Sequence, residues 1–172
     1  MTRLLLLTPD FPPAIGGIQL LLGRLVDNLI DDFDITVVTR RAHGNSTEHR
    51  AVAPCVPVRS TLMAGQAGVI NANVSGLAVG ARERFDVVLS GHITMAPAAA
   101  CLQHLRGTPF VQYIYADEVP HRARLARFAM RHAVSTIAIS THTRELAIAA
   151  GCPPSRLQLV APGVDIPASR SV

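Results

Sequence analysis

The chain contains no lysine and no tryptophan, and only two tyrosines and five phenylalanines among its 172 residues. Without lysine there is no Walker-type phosphate loop, no Schiff-base nucleophile and no lysine general base. All sixteen basic residues are arginine, which against twelve acidic residues gives a net charge of +4 and a pI near 9.6. Arginine favours bidentate contacts to phosphate or carboxylate, but wholesale replacement of lysine is equally a compositional bias, so charge alone names no partner. No aromatic platform or nucleic-acid motif accompanies it. Cys55, Cys101 and Cys152 are odd in number and far apart, with no paired Cys or His spacing for a metal or redox site. They read as buried thiols in a reducing cytoplasm. The opening apolar run is too short for a signal peptide, and the small-residue stretch at 62–81 is interrupted by Gln66, Asn71 and Asn73, which makes it a poor membrane span. A soluble intracellular protein is expected.

What is present is apolar residues, 49% of the chain, with Ala, Val and Leu prominent. That amount suits one α/β domain whose sheet is covered on both faces. Apolar runs at 4–7, 35–39, 51–58, 87–90, 110–115, 136–140 and 157–160 read as strands. Stretches of helical length lie between most of them, at 18–30, 62–82, 96–105, 119–132 and 141–150. The alternation predicts parallel strands joined by right-handed crossovers, hence a doubly wound, mostly parallel Rossmann-like sheet. Ligands on such sheets gather beyond the carboxyl ends of the strands.

Three strand-to-helix loops converge on that edge. The first, residues 8–19, carries three prolines and then Gly16-Gly17 where a strand hands over to a helix. Bare amides at a helix start form an anion site, because first-turn N–H groups are unpaired and the helix dipole favours negative charge. Glycines that let the helix pack closely on the sheet explain the same residues, and the sequence leaves both readings open. The second loop, Ser90-Gly91-His92, puts a titratable imidazole at the rim, as a site residue or as a surface or capping His. The third, residues 115–118, offers Tyr115, Asp117 and Glu118, where the two acids equally serve to start the next helix. Ser140 and Thr141 introduce a helix in the same way; with His142 they lack the acid and elbow glycines of a hydrolase. In the basic stretch 121–132, Arg124, Arg127 and Arg131 share one helical face, suited to an anionic membrane surface or simply to solvent.

Taken together, Pro9-Asp10-Phe11-Pro12-Pro13 with Gly16-Gly17-Ile18-Gln19, then Asp86-Val87-Val88 leading to Gly91-His92, then Ser140-Thr141-His142-Thr143-Arg144-Glu145-Leu146, and finally Gly151-Cys152-Pro153 with Leu157 to Asp165 carry a resemblance. In order and spacing these motifs resemble the N-terminal half of a retaining GT-B glycosyltransferase of the family 4 type. That large family includes bacterial mannosyltransferases acting on phosphatidylinositol. The resemblance implies that Gly16 and Gly17 approach the diphosphate of a nucleotide-sugar donor and that His92 contacts the transferred sugar as the catalytic-site residue. It implies that Asp10, Tyr115, Asp117 and Glu118 face a lipid or glycan acceptor, with no metal and no cofactor beyond the donor. Many relatives carry a histidine in the loop that here reads Tyr115-Ala116-Asp117-Glu118, so this chain departs from them at the acceptor loop. Residues 1–165 then form the acceptor-side domain and 166–172 a tail or linker start, with the donor-binding domain absent. A half of this kind is expected to be inactive alone, cytoplasmic or peripheral at the inner face of the plasma membrane, and prone to dimerise through the apolar face left bare.

Rival readings remain at this stage. A nicotinamide-dependent oxidoreductase needs glycines directly after the first strand and usually an acid after the second, where this chain has Thr39-Arg40-Arg41, a pair suited to a 2′-phosphate. A non-catalytic half-domain pairing with a partner chain and a sugar-nucleotide epimerase on the same architecture are the others.

Overall fold

The computed structural model describes residues 1–40, 56–61, 63 and 65–163. Its strands are β1 (Thr2–Leu7), β2 (Phe33–Thr39), β3 (Val58–Ser60), β4 (Val87–Ser90), β5 (Phe110–Ile114), β6 (Ser135–Ala138) and β7 (Leu157–Leu159). Every pairing is parallel, and the order across the sheet is β3-β2-β1-β4-β5-β6-β7. The helices are α1 (Gly17–Leu29), α2 (Gly65–Arg82), α3 (Ala96–Arg106), α4 (Glu118–His121), α5 (Ala123–His132) and α6 (Thr141–Ala149). This is the doubly wound sheet the apolar alternation predicts. Of the expected strand at 51–58, residues 51–55 lie outside the described residues, and β3 begins at the last position of that stretch.

Period two along β1 decides which helix covers which face. Leu4 and Leu6 pack with Leu22 and Val26 of α1, with Ile35 and Val37 of β2, and with Tyr113. Leu5 and Leu7 point the other way, into Ala72 and Val79 of α2 and Ala98, Ala99 and Leu102 of α3. A third cluster joins Ile114 and Ala138 to Ala126, Ala129 and Met130 of α5 and Ala147 of α6. The faces are therefore clothed unevenly, α1 on one and α2, α3, α5 and α6 on the other. Both β1 and β2 are buried over nearly their full length.

Helix α2 lies close to the sheet because glycines face inward. A Cβ at Gly76 would come within 2.8 Å of Leu7 Cδ2, and one at Gly80 within 2.6 Å of both terminal carbons of Leu102. At the opposite edge of the sheet Arg3 ties strand starts together, through Nε to Asp34 at 3.3 Å, through a terminal nitrogen to the Arg84 carbonyl at 2.7 Å and through the other to Glu83 at 3.1 Å. Its guanidinium lies 5.0 Å from the centre of the Phe85 ring.

One expected helix is two. The stretch 119–132 is broken at Arg122 (φ −133°, ψ 46°), which ends α4 and begins α5. Pro120 does not prevent α4, since it sits in the first turn, where its missing N–H has no partner to lose. The break turns the buried side of the chain from Glu118 and Val119 in α4 to Ala126, Ala129 and Met130 in α5. Of the described cysteines, Cys152 is buried and Cys101 only half-buried. Burial pushes the Cys152 thiol up from its ordinary value. Cys55 lies outside the described residues.

Replacing Gly80 by Leu forces α2 away from Leu102. The expected loss is about 1–3 kcal/mol, read as a lowered urea midpoint, whereas Gly107→Ala at the open end of α3 should cost less.

Candidate functional site

The sheet order reverses its direction of growth at β1. From there the chain moves outward through β2 by way of α1 on one face, and outward through β4, β5 and β6 by helices on the other. Loops leaving the carboxyl ends of β1 and β4 therefore part to opposite faces and leave a crevice between them. The Gly91 amide donates to the Leu7 carbonyl at 2.8 Å, extending the ladder by one residue. A Cβ at Gly91 would sit 3.1 Å from both Leu22 Cδ1 and Thr8 Cβ, so a glycine lets the two loops approach and delivers His92 beside the first.

The first loop is held from within and from β2. Buried Thr8 places its Oγ between the Asp10 carbonyl, to which it donates at 3.0 Å, and the Asp10 amide, from which it accepts at 3.1 Å. Arg40, one residue past β2, donates to the Pro9 carbonyl at 3.0 Å and to Asp10 Oδ1 at 3.1 Å. Gln19 Nε2 donates to the same oxygen at 3.1 Å. Asp10, expected from the sequence to face an acceptor, thus has one carboxylate oxygen already engaged in bracing the loop. Arg40 faces back onto this loop instead of standing free for a 2′-phosphate.

Gly16 is the N-cap of α1 and makes no side-chain capping bond; the first turn carries no acid. The two glycines differ in what demands them. A Cβ at Gly16 would strike Gln19 Oε1, the side chain that holds Asp10, whereas no heavy atom lies within 4 Å of the place a Gly17 Cβ would occupy. Backbone conformation (φ 159°, ψ 169°) and the placing of Gln19 therefore account for Gly16 and not for Gly17, whose surroundings are open. From Gly17 a groove of about 510 Å³ runs along Leu20, Leu21 and Arg24 of α1 to Tyr113 and the segment 160–163 after β7.

Of the two roles that the sequence left open, His92 takes the capping one. Its Nδ1 accepts from the Thr94 amide at 3.2 Å and lies 2.8 Å from Thr94 Oγ1, capping the single 3-10 turn Ile93–Met95. An Nδ1 that accepts from a backbone amide carries no proton, so the neutral ring bears its hydrogen on Nε2. That nitrogen lies 2.8 Å from Glu118 Oε1. Glu118, at the start of α4, is 7% exposed. Its pairing with His92 is invisible in the sequence, because it depends on β4 and β5 being neighbours.

Two buried polar atoms in this corner, Glu118 Oε2 and the hydroxyl of Tyr115, have no hydrogen-bond partner, and Glu118 Oε1 has only the His92 nitrogen beside it. The ring of Tyr115 lies 5.6 Å from that of Tyr113. Burial first, then the nearby carboxylates of Glu118 and Asp10, push the Tyr115 phenol well above its ordinary range, and burial raises Tyr113 as well. Asp117 is apart from this group. It is exposed at the N-cap position of α4 and makes no capping bond through its side chain, so the helix-starting role read from the sequence is not taken by its carboxylate. Ser140, in contrast, does cap α6, accepting from the Thr143 amide at 3.1 Å. Arg124, Arg127 and Arg131 all lie on the exposed side of α5.

The family model for Glycosyltransferase Family 4 matches residues 15–167. Among solved structures the chain is similar to HepE from Anabaena in complex with UDP-glucose, at 17% identity and a TM-score of 0.68, covering 96% of this chain and 45% of that one. It is similar to the lipopolysaccharide outer core galactosyltransferase WaaB, at 12% identity and a TM-score of 0.65, covering 99% of this chain and 50% of that one. UDP-GlcNAc 2-epimerase from Neisseria meningitidis bound to UDP-GlcNAc matches at 11% identity and a TM-score of 0.57, covering 92% of this chain and 45% of that one. No curated protein sequence matches the chain. The chain thus spans about half the length of these structures.

The buried tyrosines give the site a pH dependence of definite sign. A phenol whose folded value is raised binds its proton more tightly folded than unfolded, so its contribution is complete below about pH 10 and declines as pH rises beyond that. In an alkaline titration followed at 295 nm, tyrosinate absorbance should lag free tyrosine and rise together with loss of circular dichroism. A Tyr115→Phe variant should resist alkali better than the parent.

Proposed function

The chain belongs to glycosyltransferase family 4, and from that premise we propose that it is the N-terminal, acceptor-side domain of an enzyme moving a sugar from a nucleoside-diphosphate sugar to a hydroxyl acceptor, a lipid or a glycan. The observation that carries the acceptor assignment is the buried corner in which Glu118 Oε2 and the Tyr115 hydroxyl have no hydrogen-bond partner, while Glu118 Oε1 lies 2.8 Å from His92 Nε2. A buried carboxylate oxygen without a donor repels phosphate and is relieved by a hydroxyl that donates to it. The corner is thus suited to the acceptor hydroxyl, and Gly17 with the uncapped start of α1 to the donor diphosphate, where bare amides and the helix dipole stabilise the departing charge without a metal.

In this reading the leaving phosphate takes the proton of the acceptor hydroxyl as that oxygen attacks the anomeric carbon from the same face, so configuration is retained. No protein nucleophile is required. His92, its ring fixed by Glu118 at Nε2 and by the Thr94 amide at Nδ1, borders the sugar and positions it. Residues 1–165 form this domain, and the opposite wall of the cleft comes from a donor-binding domain of the parent protein. Excluding water and aligning donor with acceptor require both walls, so the 172-residue chain by itself is inactive.

The test is transfer by this chain joined to its second domain, followed as nucleoside diphosphate release and as anomeric configuration of the product by NMR. Glu118→Gln should lower kcat/KM for the acceptor by about tenfold or more, the worth of one charged hydrogen bond, with donor KM little changed. Gly17→Val should instead raise donor KM. Inversion of configuration, or conversion of labelled donor to an epimer without acceptor, would sink the reading.

A membrane contact is part of the proposal, supported by the exposed Arg124, Arg127 and Arg131 on α5 opposite its buried Ala126, Ala129 and Met130. No helix among the described residues is long and apolar enough to cross a membrane, and the proposed location is the cytoplasmic face of an anionic bilayer. Vesicles containing anionic lipid should co-sediment with the chain at low salt and release it near 0.5 M salt, as screening predicts. Replacing the three arginines by Gln should abolish the binding, and absence of binding at low salt refutes this contact.

A further inference from the structure

Asn73 is one of the polar residues that interrupt the apolar stretch 62–81, and it has partners beyond its own helix. Asn71, two residues earlier, accepts from Ser75 Oγ at 3.2 Å, a bond that lies within α2. Half-buried Asn73 instead reaches the turn that carries His92. Its Nδ2 donates to the Val69 carbonyl one turn back at 2.9 Å and to the Thr94 carbonyl at 3.0 Å, so both amide hydrogens are used. Its Oδ1 accepts from the Ala98 amide at 3.2 Å. A flipped carboxamide would set its NH2 against the Ala98 N–H and its oxygen against two carbonyls, so the partners fix its orientation.

Counting the amides of residues 94–98 shows why a side chain from another helix is needed. The Thr94 amide goes to His92 Nδ1, the Met95 amide to the His92 carbonyl and the Ala96 amide to the Ile93 carbonyl. Pro97 has none. The Ala98 amide is then the one left in the first turn of α3, where the N-cap residue Met95 makes no side-chain capping bond. Asn73 caps it from α2. Thr94 and Ala98 are also the pair that a fourth-neighbour helical rung would join, and the carboxamide spans the two as a peptide unit would. A side chain of α2 thus closes the joint between the His92 turn and α3.

That joint controls the imidazole. The His92 backbone is held separately, its carbonyl accepting from Ser90 Oγ at 3.1 Å and from the Met95 amide. Which way the ring faces is decided by Thr94, 8% exposed, whose amide and hydroxyl both lie against Nδ1. Turned over about its Cβ–Cγ bond, the ring would offer carbon in place of Nδ1 to the Thr94 amide and carbon in place of Nε2 to Glu118. We propose that Asn73 is a positioning residue for His92: by holding the Thr94 carbonyl it keeps the Thr94 amide on Nδ1, and so keeps Nε2 on Glu118. The contacts run from α2 through the turn and the ring to α4. This placing of the ring is independent of the reaction in the crevice, and its value to sugar transfer rests on the proposed function.

Long-range proton–nitrogen NMR of the 172-residue chain with labelled histidine reads both ring nitrogens, the His92 signals being identified by their loss in His92→Gln. At mildly alkaline pH the parent is expected to show Nδ1 bare and Nε2 protonated. Asn73→Asp keeps an acceptor for the Ala98 amide but has no donor for Thr94. It should shift the tautomer ratio about fivefold toward Nδ1–H, the worth of one ordinary hydrogen bond. Asn73→Leu should do the same and also lower the melting temperature, since α3 loses its cap; if it fails to fold, Asn73→Asp carries the test. Gly107→Ala puts a side chain at the left-handed C-cap of α3 (φ 71°), so it strains the same helix and should leave the His92 signals in place. Signals unmoved in Asn73→Asp overturn the proposal. So do signals moved as far by Gly107→Ala, which would make the effect one of stability alone. A moved signal in a two-domain parent that transfers no sugar supports this inference and sinks only the proposed function.

Discussion

The hydrogen-bonded pairing of β4 along β1, continued past the strand ends by the Gly91 amide on the Leu7 carbonyl, is the constraint from which the rest of the site follows. Because β1 is also paired to β2 on its other side, the chain has to leave β1 toward one face and β4 toward the other. The parting of those loops opens a crevice that no side chain has to create. Gly91 sets how closely the two loops pass, Thr8 shapes the first, and Arg40 and Gln19 brace it through Asp10. The crevice is thus assembled from backbone geometry and lined afterwards.

The lining has a gradient of character. Where α1 begins, the chain offers an uncapped helix start with no acid in its first turn. Beyond β5 it offers a buried carboxylate and a phenol, with the imidazole of His92 against the carboxylate. An anion fits the first region and a hydrogen-donating neutral group fits the second. Under the proposed function this gradient matches the chemical difference between a donor with a diphosphate and an acceptor with a hydroxyl.

Much of this was legible in the sequence, and the reasons are local. Strands buried on both faces have to be continuous apolar runs, so β1, β2 and β4 announce themselves. A helix entry marked by Gly16-Gly17 and a His one residue after a strand-end glycine are also local patterns. Pairings between distant residues were not legible. Arg40 on Asp10, and His92 on Glu118, depend on which strands are neighbours, and strand order is not written in any one segment. The division of 119–132 at Arg122 was missed for a related reason, because apolar positions on either side continue at helical spacing although the direction of burial changes. The difference between Gly16 and Gly17 also needed the third dimension, since only the backbone angles and the position of Gln19 separate a glycine that its conformation requires from one facing open space.

His92 does two jobs with two nitrogens, and the jobs are separable. Nδ1 caps a turn by receiving the Thr94 amide, while Nε2 pairs with the buried carboxylate of Glu118. An asparagine or aspartate retains an acceptor at the reach of Nδ1 and offers nothing at the reach of Nε2. Variation at this position can therefore keep the cap on the turn and lose only the pairing with Glu118. Such sequences would carry the turn intact with a short polar side chain where the ring stood, and the buried Glu118 carboxylate would have to find another partner or its proton.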